Sequence, residues 1–315
     1  MRAVIYDRYG PPDVLRIDRI DKPIPRATDV IVKVDYAGLL PYDWRYLRAK
    51  PFIVRAAAGW RKPKRKTLGM DFAGQVDSVG TGVSEFKPGD RVFGLAPRAF
   101  AEFVSAGVDR VAHIPDGIAT LDAATVSASS LTALQGLRDH GALQSGERVL
   151  INGASGGVGL YAVQIAKHFG AHVTGVCSQR NTELVRAAGA DHVINYDLAD
   201  FTKLGDRYDL ILDTAGNHTL TELKRCVTPN GRIVVIVGKL SRLIWLSLPG
   251  RTKAVSMVGS PNKPDLETVA DLMARGVIKP NIERVYGMEQ VQDAVAHQES
   301  MRVRGKLALK INPEA

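Results

Sequence analysis

The sequence predicts an α/β protein of two domains, a barrel-like β domain followed by a doubly wound parallel sheet. Three observations predict it. β-branched alternation punctuated by Gly and Pro fills residues 1 to about 120. Strand and helix patterns then alternate from Arg148 to Val258. A glycine-rich turn, Gly153-Ala154-Ser155-Gly156-Gly157-Val158-Gly159, joins the first of those strands to the first of those helices. A chain of 315 residues has the length for two domains, each burying its own core.

In the first domain, Val30-Ile31-Val32-Lys33-Val34, the run from Ala73 to Gly80 and Asp90-Arg91-Val92-Phe93-Gly94 read as short strands, with Pro88-Gly89-Asp90 as a turn. Past Asp116-Gly117 the texture becomes helical, Leu121, Ala124, Ala128, Leu131, Leu134 and Leu137 recurring at helical spacing. Strands are expected at 148–152, 172–177, 192–195, 210–213, 232–237 and 254–258, with helices at 158–169, 182–188 and 219–226. Helices at 265–275 and 288–298 and a closing strand at 306–311 finish the chain, and that strand is expected to return to the first domain. The expected division is therefore 1–120 with 262–315, and 121–261.

Composition excludes several classes. With 45% hydrophobic and 24% charged residues the chain is neither disordered nor fibrous. Its two cysteines, Cys177 and Cys226, form no CxxC and cannot make a four-ligand zinc site, so they read as reduced core thiols. The apolar stretches 234–237 and 243–248 fall far short of the ~20 residues of a membrane span. Met1-Arg2-Ala3-Val4-Ile5-Tyr6-Asp7 lacks the apolar core of a signal peptide, and a cytoplasmic location is expected. A net charge of +9 and the run Arg61-Lys62-Pro63-Lys64-Arg65-Lys66 raise a nucleic-acid reading. The run has no interleaved aromatics and carries a proline, so a solvated loop is favoured and nucleic acid disfavoured.

The glycine turn has a specific chemistry. A pyrophosphate approaches only backbone free of Cβ atoms, and the exposed N–H groups of a helix start then bind it. Ser155, Gly156, Gly157, Val158 and Gly159 are the residues so placed. The end of the second strand selects the cofactor, because an Asp or Glu there binds the ribose 2′-hydroxyl of NAD. Here it reads Cys177-Ser178-Gln179-Arg180-Asn181, without an acid. Ser178 and Arg180 suit a 2′-phosphate, so NADPH is expected over NADH. The plainer alternative leaves Arg180 as a solvated helix-start residue.

The chain resembles the zinc-independent quinone oxidoreductase (zeta-crystallin-like) branch of the medium-chain dehydrogenase/reductase family. The resemblance rests on Ala73-Gly74 through Val79-Gly80, Phe86-Lys87-Pro88-Gly89-Asp90-Arg91-Val92, Ala101-Glu102, Leu131-Thr132-Ala133-Leu134, the glycine turn, Gly189-Ala190-Asp191 and Gly305-Lys306. It implies a GroES-like β-barrel catalytic domain, a Rossmann domain, NADPH between them, a homodimer, and Tyr196 joining Ser178 and Arg180 at the 2′-phosphate. Alcohol dehydrogenases of the wider family carry His-Glu where this chain has Met70-Asp71, and their four-cysteine lobe is missing, so no metal is expected.

Without a Lewis acid, reduction of a quinone or of the activated C=C of an α,β-unsaturated carbonyl fits better than alcohol oxidation. Similar enzymes carry Val-Asn-Pro where this chain has Leu39-Leu40-Pro41, so Leu40 replaces an amide near the nicotinamide. Tyr42, expected in extended chain on the same face as Leu40, is the candidate proton donor, with packing beside Trp44 as the alternative. Asp43 reads as a hydrogen-bonded turn residue or a substrate ligand. Thr132, expected at a helix start, contacts cofactor or substrate, or bonds its own backbone. The Leu40 departure leaves open a family member with lost or redirected chemistry. Substrate determinants are expected in loops 52–66 and 239–252.

Overall fold

The computed structural model describes residues 1–52, 54–236 and 254–315. Loop 239–252 and the last residue of the expected strand at 232–237 lie outside the described residues. The chain divides into two compact units, Met1–Ala128 with Pro261–Gly276 and Pro280–Ala315, and Ser129–Ser260 with Val277–Lys279. The first division falls later than the 120/121 boundary read from the sequence, and residues 277–279 go with the second unit. Among the described residues no helix is long and apolar enough to cross a membrane.

In the first unit β1 (Arg2–Ile5) pairs antiparallel with β2 (Arg16–Arg19). Among the described residues the main sheet has seven strands, five of them from the first part of the chain: β3 (Asp29–Gly38), β4 (Asp71–Val79), β5 (Arg91–Leu95) and β7 (Val111–His113) run in that order, with β6 (Phe103–Gly107) also on β3. β3 is apolar along most of its length because it is covered on both faces, and Phe72, Phe93 and Phe100 are wholly buried with it.

Among the described residues the second unit holds a parallel sheet of six strands ordered β10-β9-β8-β11-β12-β13. These are β8 (Arg148–Asn152), β9 (His172–Cys177), β10 (His192–Asn195), β11 (Tyr208–Asp213), β12 (Val227–Val235) and β13 (Ala254–Ser256). The order reverses between β8 and β11, and ligands of doubly wound sheets bind at the carboxyl ends of such a pair. Helices Gly157–His168 and Thr182–Ala187 connect β8 to β9 and β9 to β10. Leu220–Arg225 is capped by a reciprocal pair, Thr219 with Glu222.

β14 (Ile282–Gly287) and β15 (Lys306–Lys310) complete the first sheet, and β15 pairs antiparallel with β3, Ala308 against Gly38. Helix boundaries differ from the sequence reading where a local cap decides. Asn262 accepts the Asp265 N–H and starts helix Lys263–Ala274 earlier than 265. The expected helix 288–298 opens with a 3₁₀ turn, Met288–Gln290, and turns α-helical over Val291–Glu299.

Candidate functional site

The glycine turn folds as a backbone cradle. Gly153 has φ +84°, and a Cβ there would lie 2.5 Å from Thr214 Oγ1. At Gly159 a Cβ would meet the Gly153 carbonyl oxygen at 2.1 Å, so this glycine lets the helix pack closely on the turn that precedes it. Gly156 differs: a Cβ there would touch nothing nearer than 3.5 Å. The protein's own packing therefore does not require glycine at 156. Gly156 is also the N-cap of helix Gly157–His168, which leaves the N–H groups of Gly157, Val158 and Gly159 without intrahelical acceptors. Ser155 through Val158 remain partly open.

Ser178, Arg180 and Tyr196 gather at the carboxyl ends of two paired strands. Cys177 of β9 lies in register with Asn195 of β10, and the Tyr196 N–H donates to the Cys177 carbonyl at 3.0 Å. Arg180 is exposed and Tyr196 is 57% exposed. Asn181, which the sequence reading passed over, ties this end to the glycine turn: its Nδ2 donates to Ser155 Oγ at 3.0 Å and to Ser178 Oγ at 3.1 Å. Asn181 is buried, and its Oδ1 has no hydrogen-bond partner. A second polar group, also unforeseen, sits at the order reversal. Asn152 Nδ2 donates to Asp213 Oδ1 at 2.9 Å and to Asn217 Oδ1 at 2.8 Å, and Asp213 is fully buried.

The other candidates occupy the first unit. Residues Pro41–Arg48 form a helix with Pro41 at its start, so Tyr42 is helical rather than extended, and the shared face with Leu40 inferred from strand periodicity does not exist. Pro41 fixes φ for a first helical turn, which overrides the extended reading. Leu40 is the N-cap and is buried. Asp43 bridges two backbones, Oδ2 accepting the Leu40 N–H at 2.8 Å and Oδ1 the Gly69 N–H at 3.1 Å; it is hydrogen-bonded as expected, but it sits in the first turn of this helix and not in a separate turn. Burial lifts its carboxyl to about 7, against the lowering effect of those two N–H groups.

Asp71 is equally buried; its Oδ1 accepts the Ala128 N–H at 3.0 Å and its Oδ2 faces Lys306 Nζ at 3.6 Å. Burial raises Asp71 to about 6 and lowers Lys306, so desolvation outweighs their mutual attraction. The signal in the sequence was a lysine opening the apolar run Leu307-Ala308-Leu309.

Tyr42 is 37% exposed and its ring centroid lies 4.4 Å from that of Tyr46. Burial, then a hydrogen bond with the Tyr46 side chain, raises the Tyr42 phenol further above its ordinary value, so it stays protonated. Thr132 lies inside helix Ser127–Gln135 and not at its start, because the helix begins with Ser127. It is half-buried in the second unit, where Gly259 lets the backbone pass close to its hydroxyl. The two catalytic candidates thus belong to different units. The basic run behaves as a solvated loop: all but Pro63 are exposed.

Family models fit both parts of the chain. The Alcohol dehydrogenase GroES-like domain matches residues 26–116, and the Zinc-binding dehydrogenase model matches residues 188–309. NAD(P)H oxidoreductase RTN4IP1, mitochondrial, of Bos taurus is 32% identical over 361 residues, covering 99% of this chain and 89% of that protein. Trans-enoyl reductase pgmF of Aspergillus terreus is 33% identical over 316 residues, covering 90% of this chain and 86% of that protein. Among solved structures, the quinone oxidoreductase from Coxiella burnetii has a TM-score of 0.91 at 29% identity and covers 99% of both chains. The fold order, the glycine cradle and these likenesses agree: this chain is an oxidoreductase enzyme and belongs to the medium-chain dehydrogenase/reductase family, with quinone oxidoreductases among its relatives.

Proposed function

We propose that this protein is an NADPH-dependent, zinc-independent reductase of quinones or of the activated C=C of α,β-unsaturated carbonyls, cytoplasmic and homodimeric. The observation that carries the cofactor reading is Gly156, a position open to a Cβ yet occupied by glycine at a helix N-terminus. Ser155, Gly156, Gly157, Val158 and Gly159 hold the pyrophosphate; Ser178, Arg180 and Tyr196 hold the 2′-phosphate. NADPH supplies the hydride. Relatives named NAD(P)H oxidoreductase, trans-enoyl reductase and quinone oxidoreductase support this class.

The chain's own residues supply orientation and a proton. The Tyr42 phenol, protonated at neutral pH, donates to the oxygen on which charge develops. Thr132 contacts nicotinamide or substrate. Zinc does not fit the donors at Met70-Asp71: a thioether is no usual zinc ligand, and both Asp71 oxygens already face the Ala128 N–H and the Lys306 ammonium.

A second reading, a family member with redirected chemistry, is favoured by one observation: apolar, buried Leu40 stands where related enzymes carry an amide. Turnover of NADPH against a panel of quinones and enones, with and without a chelator, separates the two. Chelator-insensitive turnover of either class is the expected result. NADPH binding without turnover of any acceptor selects redirected chemistry.

A further inference from the structure

No acid lies among residues 177–181, but the neighbouring strand delivers one to the same place. Asp197 Oδ2 accepts the Gln179 N–H at 2.9 Å, Asn195 Nδ2 donates to Gln179 Oε1 at 2.7 Å, and the Asp197 N–H donates to Asn195 Oδ1 at 3.0 Å. These three contacts close a ring across the carboxyl ends of β9 and β10. The Asp197 carboxylate is therefore pinned beside the chain that runs from Ser178 to Arg180, and its own neighbour is Tyr196. Its field reaches the strand end: the Cys177 thiol is pushed up to about 11, first by burial, with the Asp197 charge adding to the shift against Arg186.

We propose that Asp197 is a specificity-determining residue that holds down the preference for a 2′-phosphorylated dinucleotide. The inference rests on the cofactor reading above. In doubly wound folds the end of the second strand of the sheet reads the adenosine ribose, and here that strand is β9. Two effects act there against a phosphate. The Gln179 N–H, the first backbone donor beyond Ser178, is already consumed by a carboxylate. A fixed negative charge also stands near the position where a dianion must settle, opposing Arg180 and the partial charges of Ser178 and Tyr196. A ribose 2′-hydroxyl meets neither penalty. The site balances attraction against repulsion, so NADH retains a share of binding that Ser178 and Arg180 alone would deny it.

The test is a fluorescence titration of the full chain with NADPH and with NADH, at low and high salt, for the wild type, Asp197→Asn and Asp197→Ser. Asn keeps an acceptor for the Gln179 N–H and removes the charge; Ser guards against a misplaced amide. Because the group is exposed, the expected gain in NADPH affinity is about fivefold, with NADH changed by less than about twofold and the difference shrinking as salt rises. An NADPH:NADH ratio unmoved in both variants, in a protein that binds both dinucleotides, overturns the role of Asp197 and leaves the cofactor reading standing. A wild type that binds neither dinucleotide overturns both.

Discussion

The glycine turn of the second unit and the buried ionisable cluster of Asp43, Asp71 and Lys306 in the first unit solve opposite problems. At the glycine turn the useful groups are backbone N–H donors at a helix start, and the side chains around them are small or partly open. At the cluster the useful groups are ionisable side chains, Asp43, Asp71 and Lys306, all withdrawn from water. The first arrangement draws its donors from neighbours in sequence, with β9 and Asn181 holding the turn in place. The second is made by segments far apart in the chain and exists only after folding. The difference teaches where each is vulnerable. The turn should lose binding and keep its fold when blocked, whereas the cluster should lose stability when one partner goes.

The largest effect is expected at Lys306. Lys306→Met leaves the Asp71 carboxylate buried opposite an apolar chain, a change that costs about 3–5 kcal/mol when one partner of a buried pair is removed. The cost should depend on pH, with a definite sign. The Asp71 pKa is raised to about 6 in the folded protein from an ordinary 3.8, so the native state holds its proton more tightly than the unfolded chain. Such a group favours the fold at low pH and loses that contribution as pH rises through 3.8 to 6. Removing Lys306 widens the gap, so denaturant unfolding should show a larger loss at pH 8 than at pH 4.5. A loss that does not vary with pH would mean that Asp71 is not the group left stranded.

Gly156→Val comes next. A branched Cβ enters open space, so unfolding free energy should change by about 0.5 kcal/mol or less. NADPH affinity should drop about 10²-fold through lost charge-assisted phosphate bonds. Gly159→Val makes the contrast, since its Cβ would meet the Gly153 carbonyl at 2.1 Å and the fold itself should suffer. Circular dichroism and fluorescence titration separate the two outcomes.

What the sequence made legible follows the same division. Strand, turn and helix around Gly153–Gly159 are consecutive, and β9 with β10 needed only the parallel-sheet pattern to bring Tyr196 beside Cys177. Asn181 escaped notice because a polar residue at a helix start reads as a cap, while its burial and its bonds to Ser155 and Ser178 are properties of the folded turn. Asp197 is not legible along the strand that ends at Cys177, because its hydrogen bond to Gln179 crosses from the end of another strand. In the sequence Asp71 stands only as the partner of Met70 in the pair that replaces His-Glu; that Lys306 faces it is fixed by β15 joining β3 and β3 joining β4. Tyr42 reads as extended chain in the sequence, whereas Pro41 starts a helix that carries it.

Tyr42→Phe tests the first unit for chemistry instead of stability. The Tyr42 side chain is partly exposed and its ring lies tilted against that of Tyr46, so loss of the hydroxyl should leave the fold intact. If the phenol donates in the transition state, kcat and kcat/KM should fall together by ~10²-fold, with NADPH affinity unchanged. Rates equal to wild type in an active enzyme would assign the proton to water or another group and return Tyr42 to packing.

The smallest effect in this series belongs to Arg180. It is exposed, so a contact with a 2′-phosphate is screened by solvent, and Arg180→Ala should weaken NADPH by about tenfold, near the low end for a charge-assisted bond. NADH carries no phosphate at that position, and its affinity should move by less than about twofold. The selectivity of the loss, more than its size, carries the assignment. A general role in holding the helix start would weaken both dinucleotides alike, because the ring of Gln179, Asn195 and Asp197 beside it would shift for either ligand. Equal losses would therefore remove Arg180 from the phosphate site and leave Ser178 and Tyr196 to account for any preference that persists. A loss confined to NADPH, doubled with Asp197→Asn in the same chain, should return the NADPH:NADH ratio toward the wild-type value, since one change removes the attraction and the other the repulsion.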